Sequence, residues 1–100
     1  MFATVRRYAG LDEATATALT SRATDIATVI ASVPGIHGSQ LIRTREGVIL
    51  VTVGEDEACL VECGRRFRAW VDSNVGAFRS ANEADVWAGS LVLSGRGAEP

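Results

Sequence analysis

The pattern of apolar and polar positions is clearest at residues 33–53, where the chain reads VPGIHGSQLIRTREGVILVTV. A Pro-Gly pair opens this stretch and predicts the end of a preceding helix. Two runs of strand-forming residues follow, at 36–44 and 48–53, and only a short polar turn separates them. Gly47 ends this turn and is expected to adopt the left-handed backbone conformation that glycine reaches without steric penalty. The pattern therefore predicts a β-hairpin at the centre of the fold.

The second strand of this hairpin is apolar on both faces, since Val48 and Leu50 alternate with Ile49 and Val51. An antiparallel strand with one solvated face alternates apolar and polar residues instead. The run at 91–93, at the end of the last predicted strand, has the same two-sided character. A bare apolar sheet face is too large a patch for a soluble monomer, and a second copy related by a two-fold axis would cover it. We therefore expect a homodimer, with Leu50 and Val51 as candidates for its interface.

Further elements flank the hairpin. Residues 2–8 alternate as a strand that Gly10 ends. One helix is predicted from the acidic pair at 12–13 to the Pro-Gly pair, and a second from the acidic residues at 55–57 to a C-terminal cap at Gly76. Their apolar stripes, spaced by three and four residues, are Leu19, Ala23, Ile26, Ile30 and Val33 in the first helix and Cys59, Leu60, Cys63, Phe67, Trp70 and Val71 in the second.

A connection at 77–84 and a fourth strand at 86–93 complete the order strand, helix, strand, strand, helix, strand. Right-handed crossovers and a tight central hairpin then give a ferredoxin-like α+β fold of the βαββαβ type, with both helices on one face of a four-stranded antiparallel sheet. We expect residues 1–94 to form this single domain and residues 95–100 to form a polar C-terminal tail.

Composition narrows the classes of partner. The net charge is −2 at pH 7, whereas a nucleic-acid-binding domain usually has a basic excess, so we expect no nucleic-acid partner. No apolar run reaches the ~20 residues that span a bilayer, and the amino terminus lacks the pattern of a signal peptide. These features predict a cytoplasmic protein with no membrane partner. All ten basic residues are arginine, which is typical of a GC-rich bacterial genome.

The two cysteines, Cys59 and Cys63, lie four residues apart in the second predicted helix and face the same side. In a small cytosolic protein this favours buried thiols that act as small apolar side chains over a disulfide. The single histidine, His37, lies far away in sequence, so a multi-ligand metal site is hard to build. The chain also lacks a Gly-rich turn from strand to helix that would hold a nucleotide phosphate. We therefore expect no metal or organic cofactor.

Several stretches resemble the dimeric α/β-barrel superfamily, in particular the small bacterial proteins grouped near the antibiotic biosynthesis monooxygenase domain. They are FATVRRYAG, SVPGIHGSQLIR, GVILVTVGEDEA, RRFRAWV and VWAGSLV. Arg-Arg-Tyr on the first strand and Pro-Gly before the second carry most of the resemblance, which covers nearly the whole chain. It implies that two ferredoxin-like protomers join their sheets into a barrel. The superfamily includes cofactor-independent quinone-forming monooxygenases, haem-degrading enzymes, and decarboxylases or dehalogenases of small molecules. The resemblance therefore implies one of these activities if the protein is an enzyme.

The haem-degrading members of this superfamily resemble one another in an asparagine on the first strand, a tryptophan, and a later histidine on or near the second helix. This chain has no asparagine at 2–8, and His37 lies on the second predicted strand. The departure argues against haem degradation. The monooxygenase members instead use polar and aromatic residues around a cavity between helices and sheet.

Three residues are candidates for such a cavity. His37 could act as a base, or it could be a partly exposed residue at a strand end. Trp70 and Asn74 lie four residues apart on the second helix and could wall a ligand pocket. The alternative is that Trp70 belongs to the core and Asn74 caps the helix. On the functional interpretation, His37 and Asn74 are catalytic candidates and Trp70 is a candidate ligand contact.

Aromatic and arginine residues on the outer strands supply further candidates. Trp87 and Tyr8 suit a dimer interface, where aromatic residues are enriched, or the core. Tyr8 is also a candidate ligand contact. Arg6 and Arg7 lie mid-strand, and a buried arginine needs a carboxylate or an anionic ligand, so Arg6 is a candidate ligand contact with a rim salt bridge as the alternative. The arginine run at 65–68 is more typical of a solvated helix face at this net charge.

Two classes of function remain open from the sequence. The first is a cofactor-independent monooxygenase-like enzyme that acts on a small aromatic or polyketide-like molecule. The second is a non-catalytic dimeric module that binds a small molecule or serves in a stress response. A ligand cavity lined by Trp70, Asn74 or His37 would favour the enzyme, and a solid core at that place would favour the module.

Overall fold

A computed structural model describes residues 1–75 and 82–92 of the chain. Within these residues the strands form one antiparallel sheet in the order β2-β3-β1-β4, and the helices lie on one face of it. This arrangement is the ferredoxin-like α+β fold predicted from the sequence. The elements, in chain order, are β1 (Phe2–Ala9), α1 (Glu13–Ser21), α2 (Ala23–Ala31), β2 (Ile36–Arg43), β3 (Gly47–Gly54), α3 (Glu57–Asn74) and β4 (Asn82–Ser90).

The helices begin at the predicted acidic residues. The carboxylate of Asp12 accepts the backbone N–H of Thr15 at 2.7 Å, and that of Asp56 accepts the N–H of Cys59 at 2.8 Å. Each carboxylate satisfies one of the backbone donors that a helix leaves free in its first turn. After the end of α2, Gly35 of the Pro-Gly pair has a φ of 90°, a left-handed conformation that is common in glycines following a helix.

The core lies between the sheet and the three helices. Most residues of the two predicted apolar stripes are buried there, but Ala23 is exposed and Trp70 is only half-buried. The side chains that are at most 3 % exposed are Tyr8, Leu19, Ile26, Ile30, Val33, Val48, Leu50, Thr52, Leu60, Cys63, Phe67 and Val71.

The prediction of one continuous helix before the Pro-Gly pair is wrong, because the chain breaks at Arg22 into α1 and α2. Arg22 has φ −109° and ψ 24°, outside the helical range. The hydroxyl of Thr20 donates to the carbonyl of Ala16 at 3.1 Å, and that of Ser21 donates to the carbonyl of Ala18 at 3.0 Å. Such bonds from side chain to backbone bend helices. The apolar spacing runs through the break and therefore gave no sign of it.

The prediction of a left-handed Gly47 is also wrong. Among the described residues, only Gly10 and Gly35 have positive φ angles. An added β-carbon at Gly47 would overlap the carbonyl oxygen of Tyr8 on the neighbouring strand. Glycine is therefore required at this position by the close approach of β1 and not by backbone conformation.

The fourth strand differs from its predicted bounds, since it covers Asn82–Ser90 instead of 86–93. Val92 follows the strand and is 95 % exposed, so the two-sided apolar character expected of the strand end is not a property of β4. The predicted cap at Gly76, the connection up to residue 81, Leu93 and the predicted tail at 95–100 lie outside the described residues.

The two faces of the sheet have different surroundings, because successive residues of a strand point to opposite faces. On β3, Val48, Leu50 and Thr52 are buried beneath the helices, whereas the alternate residues are only half-buried. No described element covers the second side, which we call the open face. Its residues are Ala3, Val5 and Arg7 on β1, Gly38, Gln40 and Ile42 on β2, Ile49, Val51 and Val53 on β3, and Asp85, Trp87 and Gly89 on β4.

Candidate functional site

Arg6 lies on the helix-covered face of the sheet, beneath the middle of α3. Its neighbours on that face of β1, Thr4 and Tyr8, are buried, and Arg6 itself is half-buried. An added β-carbon at Gly64 of α3 would lie 2.8 Å from Nη2 of Arg6 and 3.0 Å from its Cζ. Glycine therefore leaves the room that the guanidinium occupies at this point of the helix.

Two buried threonines and a buried thiol lie on the same side of the sheet as Arg6. Thr4 and Thr52 pair across β1 and β3 and are 6 % and 2 % exposed. The side chain of Thr52 is hydrogen-bonded to Cys63, the residue before Gly64. Burial raises the pKa of the Cys63 thiol above its ordinary value, and this outweighs the opposing effects of the Thr52 hydrogen bond and the Arg6 charge. The thiol is thus held neutral and is unsuited to act as a nucleophile.

The space beside Arg6 is open on the side of β4. Val86 pairs with Arg6 across β1 and β4, so both side chains lie on the helix-covered face. Val86 is nevertheless 46 % exposed among the described residues, and α3 makes its sheet contacts mainly with β1 and β3. Among the described residues, Gly64 lies against Arg6, and Val86 and Ala88 share its face of the sheet; we call the surface between these four residues the Arg6 groove.

One small cavity lies towards the start of β1 and α3. It measures about 70 Å³ and is lined by Phe2, Ala3, Glu57, Leu60, Ala88 and Gly89. Typical ligand pockets measure roughly 300–1,000 Å³, so this cavity is too small for an aromatic molecule.

His37 lies at the start of β2, where a β-bulge interrupts the pairing with β3 between Ile36 and Gly38. Its side chain is 49 % exposed, and its Nε2 lies 3.8 Å from Oε1 of Glu55. The bulge directs His37 towards the loop before α3, which agrees with the alternative of a partly exposed residue at a strand end.

Trp70 lies near the opposite end of α3. The guanidinium carbon of Arg22 lies 4.9 Å from the centroid of its ring, a cation–π contact that the break between α1 and α2 makes available. The side-chain amide of Asn74 donates to the carbonyl oxygen of Trp70 at 2.8 Å. Asn74 thus satisfies the end of its own helix, as the capping alternative predicts.

The three residues expected to line one cavity do not converge. His37 contacts the loop before α3, whereas Trp70 follows thirteen residues after Glu57, the first residue of α3. A rise of 1.5 Å per residue places Trp70 roughly 20 Å along the helix. The residue that sequence reasoning missed is Gly64. Its signal was a lone glycine inside a helical pattern, which usually has a packing or functional reason.

The remaining candidates divide between the core and the open face. Tyr8 is 2 % exposed and packs in the core, with its ring 5.9 Å from that of Phe67 between centroids. The assignment of Leu50 to a dimer interface is wrong, because Leu50 is 2 % exposed beneath the helices of its own chain. Val51 and Trp87 lie on the open face, where Trp87 is 54 % exposed.

Within residues 1–75 and 82–92, no three His, Cys, Asp or Glu residues lie close enough together to hold a metal ion. No helix in this part of the chain is both long enough and apolar enough to cross a membrane.

Comparison with known proteins gives matches by structure alone. No protein-family model and no curated protein matches the sequence. The chain is similar to HapK from Hahella chejuensis, with a TM-score of 0.72, 18 % identity, and coverage of 99 % of this chain and 100 % of HapK. It is similar to SnoaB, a cofactor-independent oxygenase from Streptomyces nogalater, with a TM-score of 0.62, 17 % identity, and coverage of 93 % and 94 %.

A third similar structure is a mutant of MhuD with two manganese protoporphyrin IX molecules bound per active site. Its TM-score is 0.69 and its identity is 18 %, and the match covers 97 % of this chain and 100 % of MhuD. The chain therefore shares its fold with these proteins and with a putative antibiotic biosynthesis monooxygenase from Nitrosomonas europaea, as the sequence resemblance implies.

Proposed function

We propose that this protein is a homodimeric α/β-barrel protein that binds a small aromatic anion in the Arg6 groove and acts on it as a cofactor-independent monooxygenase. The observation that carries the proposal is the position of Arg6. Its guanidinium lies beneath α3 in a notch left by Gly64, on the face of the sheet that also carries the buried Thr4 and Thr52. A cation in such a half-buried place favours the charged form of a bound phenol, because nearby positive charge lowers the pKa of the phenol.

The chemistry follows from the phenolate. A phenolate is more electron-rich than the neutral phenol and can transfer an electron to O₂ without help from the protein's own redox groups. In the overall reaction a phenol and one O₂ give a quinone and one water, so the ring keeps one oxygen atom and the water carries the other. The role of Arg6 is to hold the anion in place and stabilise its charge. The named activity of SnoaB, a protein of the same fold, supports this class of reaction.

Other parts of the proposal rest on separate observations. The homodimer is supported by the open face, whose apolar residues include Ile42, 44 % exposed, and Trp87, 54 % exposed. A cytoplasmic location is supported by two free buried thiols, Cys59 and Cys63, since reduced thiols are typical of that compartment. The net charge of −2 supports a small-molecule ligand over a nucleic acid.

A second candidate function is a binding module without catalysis. The distance between His37 and Trp70 favours the binding module. His37 lies near Glu55, before the start of α3, whereas Trp70 lies towards the far end of α3, so the two residues do not place a general base next to an aromatic ring. On this alternative the Arg6 groove binds the aromatic anion and no oxygen is consumed.

Oxygen uptake by chelator-treated protein with a panel of polyphenols tests the proposal. The decisive variant is Arg6→Gln, and the matched control is Arg45→Gln, which changes an exposed arginine in the β2–β3 turn. We expect the turnover of Arg6→Gln to fall about tenfold or more, because the variant loses one hydrogen bond to a charged group. The turnover of the control should equal that of the wild type. The more distant variants His37→Ala and Trp70→Phe should retain turnover.

The outcomes separate the two functions. Binding of a polyphenol that depends on Arg6, without oxygen uptake, would establish the binding module instead of the enzyme. Turnover that survives Arg6→Gln, or the absence of both binding and turnover in the wild type, would overturn the assignment of the Arg6 groove.

A further inference from the structure

A hollow of about 260 Å³ lies between the end of β2 and the first turn of α1. Its walls are Leu11, Glu13, Ala16, Arg43 and three residues of the β2–β3 turn. Typical ligand pockets measure roughly 300–1,000 Å³, so the hollow suits a molecule smaller than most drugs. Because α1 lies on the opposite side of the sheet from the open face, the proposed homodimer leaves this hollow accessible.

Backbone hydrogen bonds hold the walls of the hollow in place. The N–H of Leu11 donates to the carbonyl oxygen of Glu46 at 3.2 Å and connects the segment before α1 to the turn. Within the turn, the N–H of Thr44 donates to the carbonyl oxygen of Gly47 at 2.9 Å. The N–H of Gly47 donates to the hydroxyl of Thr44 at 3.1 Å. The hollow is therefore formed before a ligand binds, which lowers the entropy cost of binding.

Opposite charges border the hollow. Glu13 belongs to the first turn of α1, and Arg43 is the last residue of β2. Arg43 pairs with the buried Val48, so its side chain lies on the helix-covered face. Both Glu13 and Arg43 are exposed, and neither forms an ion pair within the described residues. The turn residue Arg45 also borders the hollow and adds positive charge on the side of β2.

The hollow has apolar walls as well as charged ones. Leu11 packs against the core, and Ala16 is 5 % exposed. A simple anion in the hollow would approach the carboxylate of Glu13, and a simple amine would approach the guanidinium of Arg43. A molecule that carries an ammonium group, a carboxylate group and an apolar side chain complements all of these walls.

We propose that this hollow binds a free α-amino acid with an apolar side chain. The carboxylate of Glu13 accepts hydrogen bonds from the ammonium group of the ligand, and the guanidinium of Arg43 donates to its carboxylate group. Both contacts join charged groups and are stronger than neutral hydrogen bonds. Leu11 and Ala16 contact the apolar side chain. The inference goes beyond the proposed function, because none of the residues that line the hollow belongs to the Arg6 groove.

Three matched ligands test the proposal. Leucine carries both charged groups, isocaproate is leucine without the ammonium group, and isoamylamine is leucine without the carboxylate group. We expect leucine to bind about tenfold or more tightly than either of the other two, because each of them lacks one hydrogen bond between charged groups. NMR titration of isotope-labelled protein measures the affinities, and the backbone N–H signals of Ala16 and Thr44 locate the site.

Two variants assign the charged contacts. Glu13→Gln should bind leucine about tenfold or more weakly, but it should bind isocaproate no more weakly than the wild type does. Arg43→Gln should weaken the binding of leucine to the same extent and leave that of isoamylamine undiminished. The matched control is Glu57→Gln, because Glu57 follows the N-terminal cap of α3 as Glu13 follows that of α1. The control should bind all three ligands as the wild type does.

Each outcome decides for or against the site. Circular dichroism should show the three variants folded, since the replaced residues are exposed. Equal affinities of the wild type for leucine and isocaproate would indicate an anion site and overturn the inference. Wild-type leucine affinity in Glu13→Gln, or leucine that does not shift the signals of Ala16 and Thr44, would also overturn it. Oxygen uptake with polyphenols, which depends on Arg6, reports on the proposed function independently of these results.

Discussion

The guanidinium of Arg6 and the backbone of Gly64 lie so close that a β-carbon at position 64 would approach Nη2 to 2.8 Å. The two residues belong to different elements, β1 and α3, and are 58 positions apart in the chain. Because the atom that would be displaced is the far end of a flexible side chain, the substitution Gly64→Ala can be accommodated by a shift of Arg6. The variant therefore tests the position of the charge separately from its presence.

We predict that Gly64→Ala separates stability from ligand binding. Alanine within a helix is more favourable than glycine by up to ~1 kcal/mol, so the free energy of unfolding should stay equal or rise. The displaced guanidinium should bind an aromatic anion about tenfold more weakly, as expected for one weakened charged hydrogen bond. Urea unfolding and a fluorescence titration with a polyphenol measure the two quantities.

The matched control reverses the change in helix propensity on the exposed side of α3. Ala69→Gly should lower stability by about 1 kcal/mol and leave ligand affinity as in the wild type. If Gly64→Ala bound the polyphenol as tightly as the wild type, the notch at Gly64 would have no role in placing Arg6.

The order of strands and helices could be predicted because it depends on local signals. Acidic caps at Asp12 and Asp56, and the Pro-Gly pair before β2, determine where helices begin and end. The break at Arg22 could not be predicted from apolar spacing, since the same spacing continues through it. The hydroxyls of Thr20 and Ser21 donate to backbone carbonyl oxygens just before the break, and these contacts depend on rotamers that sequence does not show.

The candidate site was harder to predict, because its residues meet only after folding. His37, Trp70 and Asn74 were chosen for their chemistry, but a β-bulge, a cation–π contact and a backbone hydrogen bond direct them elsewhere. Arg6 could be predicted as a ligand contact because it is an arginine in the middle of a strand, but its position beneath α3 could not be predicted. Its place depends on Gly64, which lies on another element.

We predict that arginine at positions 50 and 51 has two different effects, although these residues are neighbours in the chain. Leu50 is 2 % exposed in the core, so Leu50→Arg buries a charge without a partner and should unfold the protomer, with a loss of more than about 4 kcal/mol. Val51 lies on the open face, so Val51→Arg should give a folded monomer. Circular dichroism reports the fold, and light scattering reports the mass.

Thr24→Arg is a suitable control for the added charge, because Thr24 is exposed on α2. It should remain a folded dimer. A folded Leu50→Arg protein would show that the helices do not cover this side of β3, and a dimeric Val51→Arg protein would exclude the open face as the interface.

We predict that the thiols are protected in the native protein. Cys63 is 1 % exposed and Cys59 is 9 % exposed, so an aromatic disulfide reagent should label both slowly before unfolding and rapidly in urea. Burial also raises the pKa of Cys63 above its ordinary value of 9.0. The unfolded chain therefore releases this proton at lower pH than the native protein does, and the contribution of Cys63 to stability declines as pH rises above 9.0.

Cys63→Ala isolates this effect. The variant should be less stable at neutral pH, because it leaves a small cavity, but it should lack the part of the alkaline decline that Cys63 causes. Rapid labelling of the wild type without denaturant would show that this side of α3 does not face the sheet.

Glu62 provides the last prediction, which concerns acid stability. Hydrogen bonds from Arg65 and Arg66 lower the pKa of Glu62 from 4.5 to about 2. Arg66 also donates to the carbonyl oxygen of Ser32 at 3.2 Å, so Glu62 orients a side chain that connects α3 to the end of α2. Because the native pKa is lowered, the stabilising effect of Glu62 is present above pH 4.5 and is lost as pH falls through about 2.

Urea unfolding as a function of pH tests this coupling, together with NMR titration of the Glu62 carboxyl. Between pH 4.5 and about 2 the wild type should lose stability more steeply than Glu62→Gln, which carries no titrating group at this position. The control Glu57→Gln lies in the first turn of the same helix, where the described residues give the carboxylate no ion pair, and its curve should parallel that of the wild type. A Glu62 carboxyl that titrates near 4.5 would show that Arg65 and Arg66 are solvated in solution, and the contact of Arg66 with Ser32 would then contribute nothing to the packing of α2 on α3.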